Sequence, residues 1–222
     1  MEHDGHIKAI LWDLDGVLAD SFELHLHTWQ QAMSSYGITL SRDQYLPYFG
    51  QSPKVMMKNL LEQNYENVNF TEIRKKKESL FYKLAPTMVK PIPGSIPWLK
   101  FLSHQVPQAI ASSAPMPIIE MLLGVLEIRH HFGALASGSE LNSKPAPDVF
   151  LLAAELLGVS PQNCLAIEDS PQGVEAAKAA GMRCIGLGTT MPLSALMKAD
   201  ILIKDLSIFP VEIVIREESH QM

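Results

Sequence analysis

Ile7-Lys8-Ala9-Ile10-Leu11-Trp12-Asp13-Leu14-Asp15-Gly16 is the stretch that decides the architecture. A short apolar run bounded by Asp and Gly reads as a buried β-strand. Here the strand would deliver two carboxylates, Asp13 and Asp15, to its carboxyl end. Neighbouring carboxylates repel unless a cation holds them, and such a pair can divide labour. One attacks phosphorus and becomes an aspartyl phosphate, while the other protonates the departing oxygen and later activates water. The same Asp-Leu-Asp-Gly also suits an ordinary strand-ending turn, so the rest of the chain has to choose between turn and site.

Three further apolar runs, over 108–111, 164–167 and 183–187, are strand-like. The stretches after them carry helix punctuation. Pro147 opens a helix over 148–157 that Gly158 closes, and Pro171 opens one over 172–180 that Gly181 closes. This alternation predicts an α/β fold whose core is a doubly wound (Rossmann-like) parallel sheet. Residues 21–88 break the rhythm, because a crossover between neighbouring parallel strands needs far fewer residues. Ser21 can cap a helix over 22–36 before Gly37, Ser52-Pro53 can start one running to 65, and Thr71-Glu72 another running to 84. The expected organisation is a core built from residues 1–20 and 89–222 with an inserted all-helical cap domain over 21–88. Pro86, Pro91, Pro93-Gly94 and Pro97 read as a stiff return linker, denied helix and ladder bonds, about which cap and core hinge. The tail beyond Phe209 holds one more apolar run, 211–215, with no assignment.

Composition narrows the function classes. With 222 residues, 47% hydrophobic and 19% charged, the chain suits one core plus a small accessory domain. A net charge of −6 offers no basic face for nucleic acid, and Glu78 directly follows the only lysine run, Lys75-Lys76-Lys77. No apolar stretch is long enough to cross a bilayer and no leader-like start is visible, so no membrane role and a cytoplasmic location are expected. Cys164 and Cys184 lie in strand-like runs without a pairing motif and read as buried core thiols in a reducing compartment. The expected partner is a small molecule, and a core and cap of this size can be a monomer.

Four polar clusters follow strands or open helices: Asp13 with Asp15, Ser112-Ser113, Lys144-Pro145, and Glu168-Asp169-Ser170. In an open parallel sheet such positions converge on the carboxyl edge, where ligands bind. Taken singly, Ser112 also suits a turn cap and Lys144 a solvated loop lysine.

Asp13-Leu14-Asp15-Gly16-Val17, Ser112, Lys144-Pro145-Ala146-Pro147-Asp148 and Glu168-Asp169-Ser170 resemble, in order and spacing, the four motifs of the haloacid dehalogenase superfamily. The match runs over about residues 7–190 and is similar to the branch with a helical cap after the first motif, which includes sugar-phosphate phosphatases and β-phosphoglucomutase. The resemblance implies Asp13 as nucleophile and Asp15 as general acid/base. It implies Ser112 as the hydroxyl that holds the transferring phosphoryl group, assisted by the amide of Ser113. Lys144 would neutralise the nucleophile and the phosphoryl oxygens. Glu168 and Asp169 suit a hard dication, and Mg²⁺ is the implied cofactor. Its ligands would be Asp13, the backbone carbonyl of Asp15, and Asp169, with Glu168 directly or through water.

Within that superfamily, Asp15 and the acidic pair argue for phosphoryl transfer over carbon–halogen cleavage. The absence of lysine from 21–36 removes the Schiff base of phosphonate-cleaving relatives. Asp20-Ser21-Phe22-Glu23-Leu24-His25 is similar to the hinge of the mutase, where His25 would face the acid/base residue and Lys77 would contact substrate. His25 equally suits an amphipathic helix face, and Lys77 an exposed helix position. At Gly50-Gln51-Ser52-Pro53-Lys54 the chain departs from the mutase pattern, which has an arginine where Pro53 stands to hold a second phosphate. Lys54 offers only a point charge. The reading is therefore a magnesium-dependent phosphatase acting on a small phosphorylated metabolite, a sugar phosphate above all, through an aspartyl phosphate. A β-phosphoglucomutase-like isomerase is the rival, and a non-catalytic phosphosugar sensor is a third reading.

Overall fold

A computed structural model describes residues 6–61 and 68–214. Its core is a six-stranded parallel sheet. The chain runs through β1 (Ala9–Trp12), β2 (Ala19–Asp20), α1 (Phe22–Ser34), α2 (Arg42–Tyr45), α3 (Pro53–Leu61), α4 (Phe70–Met88), β3 (Lys90–Pro91), α5 (Ser95–Leu102) and β4 (Gln108–Ser112). It continues through α6 (Met116–Val125), β5 (Ala134–Ser137), α7 (Asp148–Leu157), β6 (Cys164–Glu168), α8 (Pro171–Ala179), β7 (Arg183–Leu187) and β8 (Ile201–Ile203). Strand order is β5-β4-β1-β6-β7-β8, so the chain winds outward on one side of β1 and then returns to the other. The crevice at that reversal lies beyond the carboxyl ends of β4, β1 and β6, the place where doubly wound sheets take ligands.

All four residues of β1 are buried because both faces of the sheet are covered. Ile10, Trp12, Ile110, Leu165 and Ile167 point to one side, where Leu99, Leu102, Ile119 and Leu122 of α5 and α6 pack on them. Ala9, Leu11, Ala109, Ala111 and Ala166 point to the other, and these smaller side chains meet Val149, Phe150 and Ala153 of α7 and Val174 and Ala177 of α8. Cys164 and Cys184 belong to this second layer as free, buried thiols. The tail run reaches the first layer: a single helical turn over Val211–Ile213 lays Val211, Ile213 and Val214 against it.

Helices α1 to α4 form a layer of their own. Phe22, Leu26, Trp29 and Met33 of α1 bury one face against Tyr45, Phe49, Met56, Met57 and Ile73. The chain enters and leaves this layer through β2 and β3, which pair antiparallel, Ala19 with Pro91 and Asp20 with Lys90.

Three local expectations need correction. The proline passage is not a linker without helix or ladder bonds. Pro86 lies in the last turns of α4, Pro91 sits in the edge strand β3, and Pro97 lies in the first turn of α5, where a missing N–H is tolerated. Ser21 precedes α1 but its side chain does not cap it. The helix expected over 71–84 is longer, with Asn69 Oδ1 accepting from Glu72 N–H at its start. The one expected to reach 65 is described to Leu61, and its remaining residues lie outside the described ones.

Candidate active site

Strand β1 hands its last backbone bond, Asp13 N–H to Ile167 O at 3.0 Å, across to β6. This fixes Asp13 at the strand mouth beside Glu168. Lys144, from the loop opening α7, reaches under the same point. Its Nζ donates to Asp13 Oδ1 and Glu168 Oε1, both at 2.6 Å, and to Ala111 O at 3.2 Å. All three charged groups are buried. The two carboxylates hold the Lys144 ammonium well above its ordinary range despite burial. Burial pushes Asp13 up to about 8, more than Lys144 offsets.

Glu168 is occupied on both oxygens. Besides Lys144 on Oε1, its Oε2 accepts from Asp169 N–H at 2.9 Å, Ser170 N–H at 3.0 Å and Ser170 Oγ at 3.0 Å. The carboxylate sits under the start of α8, where the helix dipole favours negative charge. A Cβ on Gly173 would stand 1.7 Å from Glu168 Oε1, so only glycine lets helix and carboxylate meet.

Asp169 is different. Thr190 hydrogen-bonds its side chain, yet Oδ2 is buried with no partner, and burial together with Glu168 and Asp13 raises its carboxyl well above the usual range. An orphaned anionic oxygen is unfavourable unless a cation completes it. Directly opposite, a Cβ on Gly16 would lie 1.9 Å from that oxygen, and Gly16 has φ +88°. Gly16 is held in place by Thr189 Oγ1, which donates to its carbonyl at 2.6 Å. Three acidic or imidazole side chains do not converge on one point anywhere among the described residues. Magnesium does not need them to, since it takes one or two carboxylates with waters and substrate oxygens. Asp13, the Asp15 carbonyl and Asp169 therefore fit such an ion, with Glu168 fixing Lys144 and the loop.

Asp15 faces the helical layer. Ser21 Oγ donates to its Oδ1 at 2.5 Å, which is where the hydroxyl expected to cap α1 is engaged, and His25 Nε2 lies 3.1 Å from the same oxygen. Lys77 Nζ lies 3.1 Å from His25 Nδ1. An ammonium has no lone pair to offer, so Lys77 donates to Nδ1, which leaves the imidazole proton on Nε2 and aims it at Asp15. Burial holds His25 below its ordinary value and Lys77 down to about 8. Burial would push Asp15 up, but His25, Ser21 and Lys77 outweigh it and hold the carboxyl below the usual range. Lys77 is buried, with its Nζ 4.1 Å from the Phe81 ring centroid, and is not the exposed helix lysine that its neighbours Lys75 and Lys76 suggest.

Asp13, Asp15, His25, Lys77, Ser112 and Ser113 line one solvent-open cleft between the sheet edge and the helical layer. Lys144, Glu168 and Asp169 lie beneath its floor. Ser112 ends β4 and accepts from Ala114 N–H at 3.1 Å, so its hydroxyl hydrogen is free to donate. Pro53 lines the cleft, whereas Lys54 is exposed outside it. Ser52 N–H donates to Ser143 Oγ at 3.2 Å, resting the cap loop on the residue before Lys144. Sequence reasoning did not find the roles of Gly16, Gly173, Thr189 and Thr190. A glycine signals backbone freedom but not which carboxylate fills the space it leaves, and the two threonines carry no motif.

A parallel sheet with a buried Asp–Lys–Glu cluster at its reversal point, a cation-seeking Asp beside it and a helical layer over the opening is the arrangement of a capped, doubly wound α/β enzyme. The chain belongs to the haloacid dehalogenase-like hydrolase family, whose pattern it matches over residues 10–187. It is 31% identical over 222 residues to the β-phosphoglucomutase of Bacillus subtilis (strain 168), covering 95% of each chain. It is 33% identical over 183 residues to hexitol phosphatase B of Escherichia coli (strain K12), covering 81% of this chain and 82% of that one. The crystal structure of CbbY from Rhodobacter sphaeroides in complex with phosphate superposes with a TM-score of 0.82 at 27% identity, over 90% of this chain and 95% of that one.

Proposed function

We propose that this protein is a magnesium-dependent phosphatase of small phosphorylated metabolites, a sugar monophosphate above all, working through an aspartyl phosphate on Asp13. Asp13 attacks phosphorus, the ester P–O bond breaks, and Asp15, which takes up a proton before this step because His25, Ser21 and Lys77 hold it ionised in the free enzyme, passes that proton to the departing alkoxide. Water then attacks the aspartyl phosphate, Asp15 takes the proton, the P–O bond to Asp13 breaks, and inorganic phosphate leaves. Lys144 balances charge on Asp13 and on the phosphoryl oxygens, and Ser112 orients them. Ser113 lies beside Ser112, where its amide can assist. His25, held by Lys77, and Ser21 orient Asp15. A dication bound by Asp13, the Asp15 carbonyl and Asp169 would add electrostatic stabilisation as charge shifts on the phosphoryl group. Residues 21–88 act as the cap that closes over the substrate and limits bulk water. No described helix is long and apolar enough to cross a membrane.

The observation that carries hydrolysis is Pro53, an uncharged residue on the cleft wall. A mutase must hold a bisphosphate and reorient it, and Pro53 offers it no bidentate cation at the start of α3. The Asp15–His25–Lys77 chain and the likeness to a β-phosphoglucomutase over nearly the whole length favour a second reading, phosphosugar isomerisation. A coupled assay separates the two. Phosphate released in step with substrate consumption supports the phosphatase, and conversion of β-glucose 1-phosphate to glucose 6-phosphate without matching phosphate release overturns it.

A further inference from the structure

We infer that Arg74 and Glu78 form a subsite on α4 that reads uncharged hydroxyl groups at the far end of the substrate, so that the cleft selects a carbohydrate monophosphate over a bisphosphate. The inference rests on the phosphatase reading and names its substrate class.

Arg74, Lys77 and Glu78 share one face of α4 and all line the cleft. Further along the same helix, Phe81 and Ala85 pack into the core layer, whereas Ile73 packs into the cap. Arg74 therefore lies one turn, about 4.5 Å along the axis, farther from the sheet than Lys77. A substrate with its phosphoryl group at Asp13 and its bridging oxygen at Asp15 passes His25 and Lys77 before it meets Arg74.

What it meets there is a donor beside an acceptor. Arg74 Nε is shielded from solvent and has no hydrogen-bond partner, and the nearest carboxylate oxygen, Glu78 Oε1, is 3.5 Å away. That distance suits an ion pair but is long for a hydrogen bond. The rest of the pair is reachable, since the Arg74 side chain is 41% exposed and that of Glu78 27%. A hydroxyl fits both groups at once, accepting from an Arg74 Nη–H and donating to Glu78. A second phosphate would accept from Arg74 but would face the like charge of Glu78, and Pro53 on the same wall adds no cation. Trp29, Tyr48, Phe49 and Met56 supply the apolar surface on which the C–H face of a carbohydrate rests.

The test compares wild type, Arg74→Met and Glu78→Gln on the best hexose or pentose monophosphate of a panel, on the matching bisphosphate and on p-nitrophenyl phosphate, which has no distal hydroxyls. In Arg74→Met the ratio of kcat/KM for the sugar monophosphate to that for p-nitrophenyl phosphate is expected to fall at least about tenfold, mostly through KM. In Glu78→Gln, which removes the opposing charge, the bisphosphate is expected to bind about tenfold tighter relative to the monophosphate. Ratios within about twofold of wild type in both variants, or a wild-type preference for the bisphosphate, overturn the subsite. Should wild type release no phosphate from any of these compounds, the hydrolytic reading fails separately. The same comparison is then made by calorimetry with the monophosphate and bisphosphate: a tenfold weaker monophosphate Kd in Arg74→Met supports the subsite, and an unchanged Kd overturns it.

Discussion

Gly16 and Asp169 come from opposite sides of the sheet reversal and approach so closely that a methyl group on Gly16 would stand 1.9 Å from Asp169 Oδ2. Gly16→Ala therefore pushes on the only buried carboxylate oxygen among the described residues that is left without a partner, and it strains a backbone at φ +88° by about 1–2 kcal/mol on its own. The expected result is a rise in Tm and activity with magnesium in wild type, and loss of both in Gly16→Ala. Gly37→Ala is the control. It has a similar φ of +70° with nothing within 4 Å of the added carbon, and it should lower Tm slightly while keeping the magnesium response.

Asp13 and Asp15 separate by function when each is made an amide. Asp13→Asn should reduce turnover by at least about 10³-fold and leave no acid-trappable phosphoprotein. Asp15→Asn should still phosphorylate slowly and then stall, because the carboxylate that activates water is gone, so acid-quenched mass spectra should show the phosphoprotein accumulating. Steady-state turnover near wild type in Asp13→Asn would remove it from the role of nucleophile.

Pro53→Arg supplies the start of α3 with the guanidinium fork that Pro53 lacks. A guanidinium at the start of α3 should improve the affinity for a sugar bisphosphate by about tenfold or more and slow its release, read as a lower Kd by calorimetry. Pro53→Gln should not, because it adds polarity without charge. Equal gains in both variants would show that loosening the helix start, and not charge, controls entry.

Lys77 predicts a pH signature. Burial lowers its ammonium to about 8 from an ordinary value of 10.5, with Asp15 and Glu78 opposing the shift and His25 in direct contact. Between those values the unfolded chain holds a proton that the folded one has released, so unfolding free energy rises with pH across that window. Lys77→Met removes this term. The difference in stability between variant and wild type should favour the variant by an amount on the order of 3 kcal/mol near neutral pH and shrink toward zero by pH 10.5. The same variant frees His25 Nδ1 to take the proton and should lose activity, the usual exchange of stability for function at a catalytic site.

The central strands, the helical insertion and every motif-bearing residue were legible in the sequence because they depend on local pattern. Apolar runs with β-α punctuation define β1, β4, β6 and β7, and polar residues at the strand ends converge on one edge in any parallel sheet. The edge strands β5 and β8 have no such run, being short and Ala-rich in one case and half-buried in the other. Ser21 was misassigned as a cap because a serine before a helix has two uses, and only the position of Asp15 shows which one is taken. Lys77 shows the same limit. Three consecutive lysines look alike in sequence, and only the helix phase places the third under Phe81 and against His25. Close approaches such as Gly173 to Glu168 depend on distances across the fold, which no local pattern encodes.

The contact from Ser52 N–H to Ser143 Oγ links the helical layer to the loop that carries Lys144. A neutral hydrogen bond of this sort contributes about 1 kcal/mol net, so it is a light tie that a small displacement breaks. Because Ser143 directly precedes Lys144, a displacement at the start of α3 is passed through it to the loop that carries the charge-balancing ammonium.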